Sequence, residues 1–276
     1  MRKFDIELNE EMIVEEMSRR GLECRLNSVV KNGKSYTGIE YMCEGDCHPT
    51  LYLKDFVDND SFDSFEEMCD KMEDIFLNSV RPNFNIDRMT DKEYLLNNVF
   101  VCIQKHNDIE EDLISIPLED FEDLDKYYRI RCVSDNGTGS FKVKKALLDR
   151  AGLTVEELDK YAMKHLMENT EFYDLADIVP VPSFVEAPPM YVLSNAQKWL
   201  GASSILNYDA LEAICTKLGN TELIIIPSSI HEVIILPKTD DTDITEVAQM
   251  INAINESELT PDEILSDHPY EWSLIA

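Results

Sequence analysis

Two short stretches hold residue types that could break an acyl bond. Ser228-Ser229-Ile230-His231-Glu232 supplies hydroxyls and an imidazole, and Ser266-Asp267-His268 supplies a carboxylate. A nucleophilic serine needs a base within hydrogen-bond reach and a third group that orients the base. If the C-terminal strand lies beside the segment carrying His231, then Ser228 or Ser229, His231 and Asp267 form such a set, and the chain would be a small hydrolase. The local context reads differently. There is no G-x-S-x-G elbow and no Gly-rich strand-to-helix turn from which to build an oxyanion hole. The plainer reading makes Ser228 and Ser229 a polar turn, His231 the start of a strand, and Asp267, ahead of His268-Pro269, a turn former.

Other constellations fail on spacing. Cys43-x3-Cys47-His48 offers zinc-type ligands, but a structural site needs four and no second Cys/His pair lies nearby. Asp58-Asn-Asp-Ser-Phe-Asp63 superficially looks like a calcium loop. The required oxygen, Gly and bidentate Glu positions are instead Phe62, Asp63 and Cys69. The stretch reads better as acids facing the positive end of a following helix. No Walker-type or Rossmann-type glycine pattern occurs, so no nucleotide cradle, cofactor or metal is expected.

Charge is the strongest global signal. The formal net charge is −30 on 276 residues, while 44% of the residues are hydrophobic. From Thr239 to Ala276 there are ten carboxylates and no Lys or Arg, and Asp108 to Asp125 holds nine acids and no base. Such a field repels nucleic acid and anionic membranes and favours basic partners. The expected interaction surface is Asp240, Asp241, Asp243, Glu246, Glu256, Glu258, Asp262 and Glu263. The leading functional reading is a non-enzymatic acidic protein that binds a basic protein and makes no direct contact with nucleic acid. Its sharper form is a nucleic-acid decoy, with carboxylates standing in for phosphates. Bases cluster at residues 18–36 and 126–164, where they either neutralise neighbouring acids or allow head-to-tail association; neutralisation is the expectation. Seven scattered cysteines without CxxC, no signal-like N-terminus and no membrane-length apolar run point to the cytoplasm.

The elements that must position these groups follow from periodicity. Apolar stripes predict helices over Phe4–Arg20, Ser64–Val80, Lys144–Arg150, Val155–Asn169, Asp209–Leu218 and Asp243–Asn255. Strands are expected at Cys24–Lys31 and Lys34–Cys43 around Asn32-Gly33, at Thr50–Phe56, Val99–Gln104, Tyr127–Ser134, Ser140–Val143, Met190–Ser194, Gly201–Leu206 and Tyr270–Ile275. Capping boxes are read at Thr90/Glu93, Thr154/Glu157 and Thr260/Glu263. The near-repeat Glu222-Leu-Ile-Ile-Ile-Pro227 and Glu232-Val-Ile-Ile-Leu-Pro237 predicts a hairpin buried on both faces. Together these give an α+β fold: a mixed or antiparallel sheet with a buried C-terminal hairpin covered by amphipathic helices. Four prolines mark 171–189 as a connection between an N-terminal α+β region (1–170) and a C-terminal one (190–276), or a crossing within one continuous domain.

The pieces MYVLSN (190–195), GASSILNYDALEAI (201–214), IIPSSIHEVIILP (225–237) and NESELTPDEILSDHPYEW (255–272) resemble an uncharacterised bacterial family, domain of unknown function 5688, found mainly in gut Firmicutes. The hairpin followed by LYLKDF (51–56) fits more loosely. The resemblance implies an intracellular bacterial protein. It nominates Ser228, Ser229, His231, Glu232 and Asp267 as recurring positions and carries over no activity, cofactor or catalytic role.

Overall fold

In the computed structural model of the chain, residues 9–32, 34–44, 48–57, 62–78, 86–106, 110, 112–134, 137–178 and 188–274 are described. The fold is α+β with antiparallel sheets. Backbone packing divides it into two units, residues 1–89 with 132–140, and residues 90–131 with 141–276.

In the first unit the N-terminal stripe becomes α1 (Glu10–Arg19), whose N-cap Asn9 accepts the Met12 N–H at 3.0 Å. β1 (Cys24–Lys31) and β2 (Lys34–Tyr41) pair antiparallel from Cys24↔Tyr41 to Lys31↔Lys34. Asn32 at the turn adopts φ 45°, the left-handed conformation an Asn-Gly hairpin turn requires. β3 (Thr50–Tyr52) adds to β2. The expected extension to Phe56 is cut short by α2 (Lys54–Val57). Turning the chain there buries Leu53 and Phe56 together, three residues apart on one helical face. α3 (Phe65–Asn78) supplies Met68, Cys69, Met72 and Phe76 to a core shared with Ile13, Met17 and Ile39.

The second unit starts with α4 (Lys92–Asn98), which runs directly into β4 (Val99–Lys105). Its cap is Asp91, which accepts the Tyr94 N–H at 2.7 Å. The box expected at Thr90 is displaced by one residue because Thr90 ends a preceding 3-10 turn (Ile86–Thr90). β5 (Ser115–Pro117), β6 (Leu124–Ser134) and β7 (Gly137–Lys142) join β4 in the order β4-β6-β5, with β7 on β6. α5 (Lys145–Ala151) and α6 (Val155–Asn169) follow, and α6 opens with the expected Thr154/Glu157 capping box.

A second sheet in this unit has the order β12-β10-β11-β9-β8, built from β8 (Thr170–Asp174), β9 (Tyr191–Asn195), β10 (Glu222–Ile226), β11 (Val233–Pro237) and β12 (Tyr270–Ser273). The predicted hairpin is at its centre. Leu223, Ile225, Val233 and Ile235 join the main core, with α7 (Tyr208–Leu218) supplying Leu211 and Ile214. Ile224, Ile226, Ile234 and Leu236 meet α8 (Ile244–Ser257) through Ile251, Ile244 and Val247.

Two expectations fail here. Gly201–Leu206 is not a strand but a fully buried 3-10 turn leading into the α7 cap, Asn207. Small residues at 201–204 let the backbone turn tightly against neighbouring strands. Thr260–Glu263 is a single turn, not a helix start. Half of the box is made, since the Thr260 N–H donates to Glu263 Oε2 at 3.2 Å, but the Thr260 hydroxyl donates to the same oxygen at 2.7 Å and the Glu263 N–H goes to the Thr260 carbonyl. The Glu263 carbonyl, however, accepts the Ile230 N–H at 3.0 Å, and Leu265 turns into the core.

β8 and β9 flank the proline-rich connection and pair with each other from Thr170↔Asn195 to Asp174↔Tyr191. A specific protease site placed between Ile178 and Pro188 should therefore, once cut, leave two pieces that co-elute in native gel filtration and part only in denaturant. Separation under native conditions would refute this pairing.

Candidate functional site

The loop between β10 and β11 is a structural latch. The His231 carbonyl accepts the Gly201 N–H at 3.0 Å and the Ser194 hydroxyl at 2.8 Å. Ser229 is buried, its Oγ accepts the His231 N–H at 3.0 Å, and its own N–H donates to the Glu232 carbonyl at 3.1 Å. The His231 ring accepts the Leu200 N–H at Nδ1, 3.0 Å away, and turns Nε2 toward Glu263 at 3.8 Å. A nitrogen that accepts an amide proton carries none, so the neutral ring holds its proton on Nε2. No ring nitrogen is then left to take a proton from a serine. Ser228 is half-buried at the start of the same loop.

Asp267 is not part of this latch. Its carboxylate meets His268 Nδ1 at 3.0 Å, and that bond, foremost, holds it below the ordinary aspartate range. The structure therefore brings Ser229 and His231 together through the backbone and places Asp267 with a different imidazole.

The turn that meets His231 is strained. Lys198 and Leu200 adopt φ 51° and 52°, which costs a non-glycine residue on the order of 1–2 kcal/mol each. The Asn195 side chain offsets part of this by accepting the Gln197 and Trp199 N–H groups and donating to the Trp199 carbonyl. Burial of Leu200 against Cys102, Leu113 and Tyr127 and its N–H bond to His231 also oppose the strain.

A different constellation forms where residues 119–123 meet residues 266–271. Asp123 Oδ1 accepts the Tyr270 hydroxyl at 2.6 Å, and its Oδ2 accepts the Ser266 hydroxyl at 2.9 Å. His268 Nε2 lies 3.7 Å from the same carboxylate, and the His268 ring lies edge-on to Tyr270 at 5.0 Å. Burial, then the bond to Asp123, pushes the Tyr270 phenol well above its usual range. Next to it Tyr208 donates to Asp120 at 2.6 Å, and burial with that bond raises its phenol to about 12. These groups border an open cleft of about 570 Å³ lined by Glu119, Asp120, Glu122, Asp123, Glu271 and the 268–270 segment. Asn252 and Asn255 of α8 donate to the Asp267 and Ser266 carbonyls, tying that helix to the cleft wall.

Ser266 and His268 do sit beside a carboxylate, but Ser266 is completely buried and already donates to Asp123, so it is a structural hydroxyl and not an exposed nucleophile. Sequence reasoning missed Asp123 and Tyr270, and named Ser266 without a role. The available signals were the base-free acidic stretch and the Ser-Asp-His run; their meeting across some 140 residues of chain had no local trace.

The proposed surface carboxylates Asp240, Asp241, Asp243, Glu246, Glu256 and Glu258 are exposed, and Asp262 and Glu263 half-buried. Asp243 also caps α8 through the Thr245 and Glu246 N–H groups. Part of each basic cluster is neutralised locally: Arg20 bonds Glu16, Asp70 and Glu73, Arg25 bonds Glu40, Lys126 bonds Asp159, and Lys142 bonds Glu110. Among the described residues no group of three or more metal-binding side chains is placed to hold an ion. His48 faces Glu40 at 3.3 Å, while Cys47 and Asp58–Ser61 lie outside the described residues.

Gly201 has no room for a side chain. A Cβ there would lie 2.2 Å from Ser194 Oγ, 2.6 Å from Asn195 N and 2.8 Å from the His231 carbonyl oxygen. Gly201→Ala should overpack the latch and break at least one of its bonds, a loss of about 2–4 kcal/mol in urea unfolding. A change below about 0.5 kcal/mol would show that the contact yields freely.

No curated protein and no solved structure matches the chain. A family model does match, over residues 1–273, and the chain accordingly belongs to the family of unknown function DUF5688.

Proposed function

We propose that this is a non-catalytic recognition protein whose acidic cleft binds a cationic segment of a basic protein. One observation carries the reading. Asp120 and Asp123 are positioned by neutral hydroxyl donors, Tyr208, Tyr270 and Ser266, which fix the carboxylates without cancelling their charge. Among the described residues, Glu119 and Glu122 take part in no ion pair, Asp123 faces the His268 ring at 3.7 Å, and Glu271 is matched by Lys238 at 2.5 Å. A lysine or arginine side chain entering the cleft meets preoriented carboxylate acceptors.

The exposed acids of α8 extend the same negative surface and steer the approach of a basic partner. Cys24, Cys69, Cys102 and Cys215 are free thiols, which supports residence in the reducing cytoplasm. Among the described residues no helix is long and apolar enough to cross a membrane.

The test is titration of an arginine-rich peptide into the wild type and Glu119→Gln/Glu122→Gln by calorimetry. Exposed ion pairs contribute about 0.2–1 kcal/mol each, so the double variant should bind about 2- to 30-fold more weakly at unchanged fold. Glu256→Gln/Glu258→Gln removes the same charge from α8 and should cost less. Equal losses in both variants would mean a diffuse field effect, and no loss in the first would dismiss the cleft.

A further inference from the structure

Trp199 is held out on a loop that is strained on both sides. It is 42% exposed, and its neighbours Lys198 and Leu200 both sit in left-handed backbone at φ 51° and 52°. For side chains of this size such conformations persist only where surrounding contacts impose them. One of those contacts depends on protonation. The Leu200 N–H is received by His231 Nδ1 at 3.0 Å, and a protonated Nδ1 is a donor that cannot receive it.

We propose that His231 is a proton-sensitive latch on the Trp199 loop: the neutral ring holds the Leu200 amide and the strained turn, and protonation at Nδ1 releases the amide and redisplays Trp199. The geometry favours such a switch. The carboxylate of Glu263 lies 3.8 Å from Nε2 and is placed to receive the imidazolium once it forms. On the same hairpin the Glu232 carboxylate lies near the Tyr173 hydroxyl and, after burial, raises its pKa. From the turn, Lys198 rests over the Tyr173 ring at 4.6 Å. From β6, Arg131 bonds Gln197 at 3.2 Å and lies over Phe100 at 5.7 Å, and Phe100 in turn packs against Trp199 at 6.0 Å. Tyr127 and Cys102 are buried with Leu200 and do not ionise over the histidine range, since burial pushes both upward.

Release frees Lys198 and Leu200 to return to right-handed or extended backbone, which moves Trp199 off Phe100. The His231 carbonyl keeps its bonds to Gly201 and Ser194, so the hairpin itself stays docked. The device is therefore local: the loop changes and the sheet does not.

The experiment reads Trp199 fluorescence in a Trp272→Phe background, where it is the single tryptophan. Between about pH 8 and pH 5, the range in which histidines change charge, its emission should shift in one transition. Adding His231→Gln supplies a carboxamide oxygen that receives the Leu200 amide but does not titrate, and should flatten the curve at the high-pH value. A transition that survives in His231→Gln, or none in the parent, overturns the proposal. Should His231→Gln fail to fold, NMR of the wild type decides. The Leu200 amide resonance must move in step with the His231 ring, and an amide that stays still while the ring titrates equally overturns it.

Discussion

Two consecutive strands of branched aliphatic residues can be buried only if both faces of their hairpin are covered and every backbone group at its turn is paired. The rest of the second unit is arranged around that demand. One face of β10–β11 meets α7 and the main core, and the other meets α8. The turn between them has no strand partner of its own, so its polar groups are taken by segments distant in sequence. Ile230 N–H goes to the Glu263 carbonyl, and the His231 carbonyl receives Gly201 and Ser194. An unpaired buried backbone group would cost about 1–3 kcal/mol, enough to explain why serine, glycine and histidine stand where a plain turn needs none of them.

This explains the difference between the chemistry read in the sequence and the chemistry present. Ser229 and His231 recur in one short run and have the residue types of a hydrolytic site. Their hydrogen-bonding capacity is spent on backbone amides, and the ring nitrogen that a serine would need accepts the Leu200 amide. Residue type is visible in a sequence, but the partner that uses up a lone pair is not.

Much of the fold was legible because it rests on local rules. The hairpin at Asn32 and the Thr154 box each depend on a few adjacent residues. The errors share a different cause. Gly201–Leu206 has a strand-like apolar pattern, yet buried small residues allow a tight turn held by the distant His231, Ile230 and Val101 carbonyls. Thr260–Glu263 has the sidechain grammar of a helix start, but its carbonyl is claimed by Ile230 before a second turn can form. The α4 cap moved from Thr90 to Asp91 because the preceding 3-10 turn consumed the threonine. In each case a long-range or upstream contact outcompeted the local signal, and the acidic cleft was hidden for the same reason.

The electrostatics of the two units show why the cleft stands apart from the general acidity. Arg20 draws three carboxylates and Arg25 draws Glu40, so the acids of the first unit are partly cancelled where they stand; Glu40 is held below its ordinary range by Arg25 first and His48 after it. Asp159 accepts both Lys126 and the Tyr128 hydroxyl. A cation at such a site removes charge as it imposes order. At Asp120 and Asp123 the hydrogen bonds come from phenols and a serine, which leave the charge in place. Preorganised acceptors that keep their charge lose little rotamer freedom when a cation arrives, and association then costs less than at a mobile surface acid. With 55 acids against 25 bases, negative potential is abundant over this molecule; acids held rigid without being neutralised are what distinguish one place on it from another.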